Sequence, residues 1–296
     1  DENKRKNGIQ KEEKQEINFV EEQDVFQNLI GSNGSLKNPI EQMKTSIFYP
    51  NTSLPVFLHG PTGSGKSFMA RKIYEFAVQE GILKPDAPFI IMNCAQYVNN
   101  IELLSSHLLG SVTRAITGAY ATTKGLLEAA DGGMLFLDEV HRLNSESQEK
   151  LFVFLDQGIF RRMGESEGWH KAKVRMVMAT TENLESNFLD TFLRRIPIVV
   201  QIPSLRERGE QERLQFIYHF FIEESKVLDK KMKVSGNVIE ALLNHLYQGN
   251  IGDLENKIKF ICATAYAKKK GKNERFSDSK LSYTYSKMQA CIRSRA

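Results

Sequence analysis

Eight consecutive residues, Gly60-Pro61-Thr62-Gly63-Ser64-Gly65-Lys66-Ser67, carry the densest chemical signal in this 296-residue chain. They fit the pattern G-x-x-x-x-G-K-[ST], follow the apolar run Val56-Phe57-Leu58-His59, and open a helical stretch that runs from Phe68 to Gln79, so every contextual requirement of a phosphate-binding loop is met. The glycines let the backbone curl until its N–H groups face phosphate oxygens, and a helix N-terminus adds positive partial charge. Lys66 is expected to reach the β- and γ-phosphates of ATP, and the Ser67 hydroxyl to ligate Mg²⁺. The bland alternative is an ordinary glycine-rich turn.

A second group lies further along, where the apolar run Met134-Leu135-Phe136-Leu137 ends in Asp138-Glu139. The run should bury as a strand and the acids emerge from its end. Asp138 is then placed to hold Mg²⁺ through water. Glu139 is placed to polarise an attacking water, which requires a carboxylate ionised near neutral pH. An acidic pair after a strand is weak evidence alone, and gains its force from the phosphate loop upstream.

The elements that must position these groups are readable over residues 54–202. Five runs, LPVFLHG, APFIIMN, GGMLFLDE, VRMVMATT and PIVVQIP, are separated by longer polar-apolar stretches, which is the βα alternation of a parallel sheet. The runs are almost continuously apolar, as strands covered by helices on both faces should be. After Pro203 the pattern is helical only, with Leu214, Ile217, Tyr218 and Phe221 at helical spacing, then Ile239, Leu242, Leu243 and Leu246. The expected architecture is α/β: a sheet domain over residues 25–203, a hinge near 204–209, and a small all-helical lid over 204–268.

Composition sets the surroundings. Hydrophobic residues make up 41% and charged residues 26%, the mix of a soluble globular chain. No run of about 18 apolar residues occurs, and the first residues lack the apolar stretch of a secretion signal, so a cytoplasmic protein without a membrane partner is expected. Cys94, Cys262 and Cys291 are far apart and lack a close set of Cys or His partners, which suits reduced thiols better than disulfides or a zinc site. The net charge is +4, yet residues 268–296 hold nine Lys or Arg against two acids. This tail, 269–296 by the expected boundaries, could meet nucleic acid or simply be a solvated linker. Residues 1–24 are polar and without periodicity, and are expected to be a linker to another domain of a larger chain.

Over residues 26–267 the chain resembles the central AAA+ domain of sigma-54-dependent transcriptional activators. Asn28-Leu29-Ile30-Gly31-Ser32-Asn33-Gly34-Ser35 and Asp138-Glu139-Val140-His141-Arg142-Leu143 are similar to the subgroup that controls sugar phosphotransferase operons, such as the levanase and mannose regulators. The resemblance implies an ATPase that remodels sigma-54 RNA polymerase for open-complex formation. It also implies a homo-oligomeric ring of six or seven subunits, with DNA recognition supplied by a domain outside these residues. The GAFTGA loop of the family has its counterpart in Arg114-Ala115-Ile116-Thr117-Gly118-Ala119, which implies contact with the sigma factor. Arg114 stands where the family has glycine and Ile116 where it has an aromatic residue; a surface hairpin without a partner is the plainer reading.

Further roles follow from the same resemblance. Asn93 matches the asparagine that pairs with the catalytic glutamate, although from its place alone it is a capping residue at a strand end. Thr181 stands at the family's sensor asparagine, where a hydroxyl could orient water or phosphate. Arg194 aligns with an arginine finger given to a neighbouring subunit's ATP; the second finger falls on Phe188, leaving Arg195 as a substitute. Helix-end arginines answering a dipole would look the same. Gly252, in Gly249-Asn250-Ile251-Gly252-Asp253-Leu254, stands where the lid's sensor-two arginine would be. His141 reads as structural or as support for Glu139, and Trp169 and His170 as part of a second exposed loop over 164–173. Two other functions stay open: the same ATPase fold with a different client, such as a helicase loader, clamp loader or unfoldase, and a nucleotide-gated binding module with weak catalysis.

Overall fold

The computed structural model describes residues 24–50, 54–97, 99–114, 120–270 and 281–283. Along the chain, α1 (Lys37–Phe48), β1 (Val56–His59), α2 (Lys66–Gln79), β2 (Phe89–Asn93) and α3 (Ile101–Leu109) lead to a hairpin of β3 (Gly110–Arg114) and β4 (Tyr120–Lys124). Next come α4 (Leu126–Ala129), β5 (Met134–Asp138), α5 (Ser145–Gln157), the short pair β6 (Ile159–Phe160) and β7 (His170–Lys171), and β8 (Arg175–Thr180). After α6 (Leu184–Asn187), α7 (Asp190–Leu193) and β9 (Ile198–Gln201), the remainder is α8 (Glu210–Val227), β10 (Met232–Val234), α9 (Gly236–Asn244), α10 (Asn250–Lys270) and β11 (Leu281–Tyr283).

The five apolar runs are the five strands of one sheet, ordered β2-β5-β8-β1-β9, with every pairing parallel. Parallel neighbours need crossovers, and helices supply them. Because side chains alternate along a strand, the sheet builds two cores. Val56, Leu58, Met134, Phe136, Val177 and Ala179 pack beneath α1 and α2. Phe57, Leu135, Leu137, Met176 and Met178 face the other way, against α3, α4, α5 and α7. That double cover explains the unbroken apolar runs. Met134 through Leu137 are fully buried, so Phe136→Ala alone should cost about 3–5 kcal/mol. Register aligns His59 with Thr180 and Asn93 with Asp138, so the polar ends of β1, β2, β5 and β8 share the carboxyl edge of the sheet.

Past Pro203 a third core gathers Ile217 and Phe221 of α8, Val238 and Leu242 of α9, and Leu254, Ile258 and Ile261 of α10. Two expectations change here. Tyr218 and Leu246 are exposed, at 52% and 72%: the inward stripe of α8 runs through Phe216, Ile217, Phe220 and Phe221 and puts Tyr218 round the side, and Leu246 lies past the end of α9. The region is also not wholly helical: β10 pairs in parallel with β11, and the alternation Met232-Lys233-Val234 lets Met232 and Val234 pack on the core. Helix α10 continues to Lys270, past the expected start of the tail. The remaining expectations for residues 1–23, and for the tail at 271–280 and 284–296, lie outside the described residues. Among the described residues no helix is long and apolar enough to cross a membrane, and Cys94 and Cys262 are free, buried thiols.

Candidate nucleotide site

The loop from Gly60 to Ser67 connects β1 to α2, so strand and helix hold it at both ends. Gly65, the residue before the helix, has φ 102°, and Gly63 has φ 71°, both in the left-handed region that a side chain resists. A Cβ on Gly60 would lie 2.5 Å from the Ile202 carbonyl oxygen, and one on Gly63 only 2.0 Å from that of Gly249. The loop is therefore shaped by its neighbours as well as by its own glycines. Thr62 and Ser64 line its cavity; Ser64 is wholly buried and its hydroxyl has no hydrogen-bond partner among the described residues. Pro61 shapes the turn, its carbonyl accepting the Ser64 N–H at 3.2 Å.

Lys66 folds back over the loop and donates to the carbonyls of Gly60, at 2.9 Å, and Pro61, at 3.2 Å. Burial pushes its pKa down, against the opposing pull of Glu139 and Asp138. The Ser67 hydroxyl donates to Asp138 Oδ2 at 3.1 Å, which joins the two sequence motifs directly. These two oxygens suit Mg²⁺, a hard ion that takes few protein ligands and fills its shell with phosphate and water oxygens. Among the described residues no cluster of three or more His, Cys, Asp or Glu side chains competes as a metal site.

Glu139 adopts φ 52°, a left-handed residue at the mouth of the cavity. Its Oε2 accepts from the Thr181 hydroxyl at 3.4 Å and lies 3.4 Å from His141 Nδ1. The His141 side chain is 6% exposed, its Nδ1 3.0 Å from Thr180 Oγ1 and its Nε2 without a partner among the described residues. Burial lowers its pKa, keeping the ring neutral, with Glu139 pulling the other way. Asn93 pairs in register with Asp138, yet its side-chain oxygen accepts the Ala95 N–H at 2.9 Å. It caps the turn after β2, and among the described contacts it makes none to Glu139.

Arg194 is exposed at the end of α7, without an ion pair among the described residues, whereas Arg195 binds Asp156 at 3.0 Å and lies over the Phe152 ring. Phe188 is buried against Phe57 and Phe192. Arg114 pairs through its backbone with Tyr120 at the top of the β3–β4 hairpin; Ala115, Ile116, Thr117, Gly118 and Ala119 lie outside the described residues. The hairpin stem is held firmly: Val112 N–H donates to Met163 O and Met163 N–H to Gly110 O, each at 2.9 Å. Beneath it Arg162 grips Glu128 through two bonds of 2.8 and 2.7 Å. Trp169 is half exposed and stacks on Arg161, with His170 bonded to Glu165.

The cavity enclosed by these parts measures about 550 Å³. Its lining joins the polar loop, Asp138 and Glu139 to the apolar Leu29, Ile30, Leu36, Phe216 and Phe220, with Arg208, His219 and Glu255 beside them. Gly252 borders it, and the adjacent Asn250 ties lid to loop: its Nδ2 donates to Thr62 O at 2.8 Å and its Oδ1 accepts the Leu205 N–H at 2.9 Å. Sequence reasoning missed Asn250, Arg208 and the two phenylalanines, since a polar residue in a helix start and apolar residues at helical spacing look like ordinary structure.

A phosphate loop after a central parallel strand, an acidic pair two strands away and a helical lid over both define a P-loop nucleotide-site domain. The family model for the sigma-54 interaction domain matches residues 29–199. The chain belongs to that family. It is 45% identical over 246 residues to the transcriptional regulatory protein LevR of Bacillus subtilis and 42% identical over 246 residues to DagR of Salmonella typhimurium, covering 83% and 82% of this chain. It spans only 26% of the length of each. Among solved structures, NtrX of Brucella abortus in complex with ADP superposes with a TM-score of 0.69 at 22% identity, covering 88% of this chain and 54% of that one. A point mutant of Thermotoga maritima RuvB superposes at 0.58 and 13% identity, covering 89% and 69%. At such identities these likenesses establish the fold, the AAA+ α/β architecture with a helical part.

Proposed function

We propose that this domain binds and hydrolyses Mg-ATP between subunits of a ring and uses the cycle to remodel sigma-54 RNA polymerase for open-complex formation. The observation that carries the reading is the contact of Ser67 with Asp138 beside Glu139, at the mouth of the phosphate loop. Backbone N–H groups of residues 63–67 and Lys66 would hold the phosphates; Ser67 and Asp138 would hold Mg²⁺, which when bound would supply positive charge beside the phosphate oxygens. Glu139 orients water as base, its carboxylate steered by Thr181 and His141. Arg194, exposed and unpaired among the described residues, reaches the nucleotide of a neighbouring subunit in a hexamer or heptamer; Arg195, the substitute for the second finger that falls on Phe188, is tied instead to Asp156. Residues 114–119, which join β3 to β4 in the chain, carry the motion to sigma-54, and the stem of that hairpin is braced by Met163, Glu128 and Arg162. Asn93 switches to Glu139 when the nucleotide state changes. The similarity to LevR and DagR supports a cytoplasmic regulator of a sugar phosphotransferase operon, with DNA bound by another domain and no membrane partner.

The test is co-migration of the domain with sigma-54 in Mg-ADP and a phosphate mimic. Binding by the wild type, lost in Thr117→Ala with ATP affinity unchanged, supports the reading; a folded, nucleotide-binding domain that never engages sigma-54 rejects it. Gly252, and Asn93 held as the cap of its own turn, favour one rival, a binding module with weak catalysis. Phosphate release no faster in the wild type than in Glu139→Gln selects that rival.

A further inference from the structure

Beneath the lid lies a guanidinium that no carboxylate among the described residues pairs with. Arg208 is 2% exposed and heads the largest fully buried side chains, yet it borders the nucleotide cavity. Its Nε has no hydrogen-bond partner among the described residues. Its other nitrogens reach only backbone carbonyls at the long limit of a hydrogen bond, Nη1 to Ile30 O at 3.4 Å and Nη2 to Ser64 O at 3.5 Å. Among the described residues it forms no ion pair. Glu212, the acid whose charge acts on it, has both oxygens engaged by Ser35. The Phe216 ring lies 5.2 Å from the guanidinium carbon and attracts the cation without neutralising it.

A cation so deeply buried and so poorly bonded is costly to the fold. It is well placed for an anion. Its two carbonyl contacts, Ile30 and Ser64 of the phosphate loop, both belong to the cavity lining. A planar group with five N–H donors there can grip phosphate oxygens through two parallel bonds. Gly252, which also lines the cavity, has no side chain with which to do so.

We propose that Arg208 is the lid-side ligand of the nucleotide's phosphate chain, a charge held in reserve until ADP or ATP enters. This rests on the nucleotide reading of the cavity and adds a residue to it. Because Arg208 sits where the chain turns from the sheet into α8, its engagement draws that turn onto the loop, so occupancy is felt by the lid.

Calorimetric titrations of ADP and of uncharged adenosine into the wild type, Arg208→Met and Arg208→Lys test it, with the melting temperature of each protein without ligand. The expected result is a loss of ADP affinity of about 10- to 100-fold in Arg208→Met, the scale of a hydrogen bond to a charged group. Arg208→Lys should recover part of that loss, and adenosine affinity should change less than about twofold, since no charged contact is removed. Unchanged ADP affinity in Arg208→Met overturns the proposal. So does an equal loss for ADP and adenosine with a large fall in the unliganded melting temperature, which would make Arg208 a structural strut. If the wild type takes up no ADP at all, the nucleotide reading itself falls, and this proposal with it.

Discussion

Replacing Asn250 by alanine should separate the lid from the phosphate loop. The side chain is buried, and it is the partner of two groups at once: the Leu205 N–H at 2.9 Å and the Thr62 carbonyl at 2.8 Å. Truncation leaves both without that partner inside the protein, at about 1–3 kcal/mol for each buried group. Asn250 also sits at φ 53°, where alanine is disfavoured by about a further 1 kcal/mol. Non-additivity within one small network trims the sum, so about 3–5 kcal/mol of stability should be lost. Asn250→Gly loses the same bonds without the backbone penalty and should be about 1 kcal/mol less damaging. Urea unfolding followed by circular dichroism reads all three proteins. An Asn250→Ala protein within about 1 kcal/mol of the wild type would refute the reasoning, as would a glycine variant that is the worse of the two.

Other outcomes follow from the same geometry. The Arg162 hydrogen bonds hold the Glu128 carboxyl below its ordinary value of 4.5. The bond thus adds stability that is complete above pH 4.5 and is lost as the carboxyl protonates below it. Urea midpoints of wild type and Glu128→Gln should differ at pH 7 and converge in acid. Burial lowers the His141 pKa, so the unfolded chain takes up a proton that the folded one resists; stability should fall as pH drops below 6.5, and His141→Asn should flatten that slope. Arg194→Ala should leave melting temperature and ATP binding unchanged and cut turnover by about 10³-fold or more. Arg195→Ala should instead lose the exposed Asp156 pair, worth about 0–1 kcal/mol, and show its effect in urea midpoints rather than turnover.

How far the molecule could be read from its residues depended on whether a residue's role is local. The sheet strands were legible because Met134-Leu135-Phe136-Leu137 and its counterparts must be covered on both faces, and few other structures need such runs. The loop at residues 60–67 and the acids at 138 and 139 were legible for a similar reason: their types and spacing leave little freedom. Asn93 was less so. Its side chain can cap its own turn or cross to a neighbouring strand, and only coordinates show it bonded to Ala95. Arg208 and Asn250 were invisible, because burial of a charged or polar residue is decided by what folds over it from far along the chain. Tyr218 failed differently: in α8 an apolar residue at helical spacing lies just outside the stripe that packs. The strand β10 is three residues long and holds its place by pairing with β11, a partner no local pattern announces.

The most direct test of the account is calorimetric titration of the chain with ATP in Mg²⁺. Saturable uptake at one site per chain, abolished in Lys66→Ala and retained in Glu139→Gln, is the predicted result. A folded wild-type protein that takes up no adenine nucleotide would contradict it.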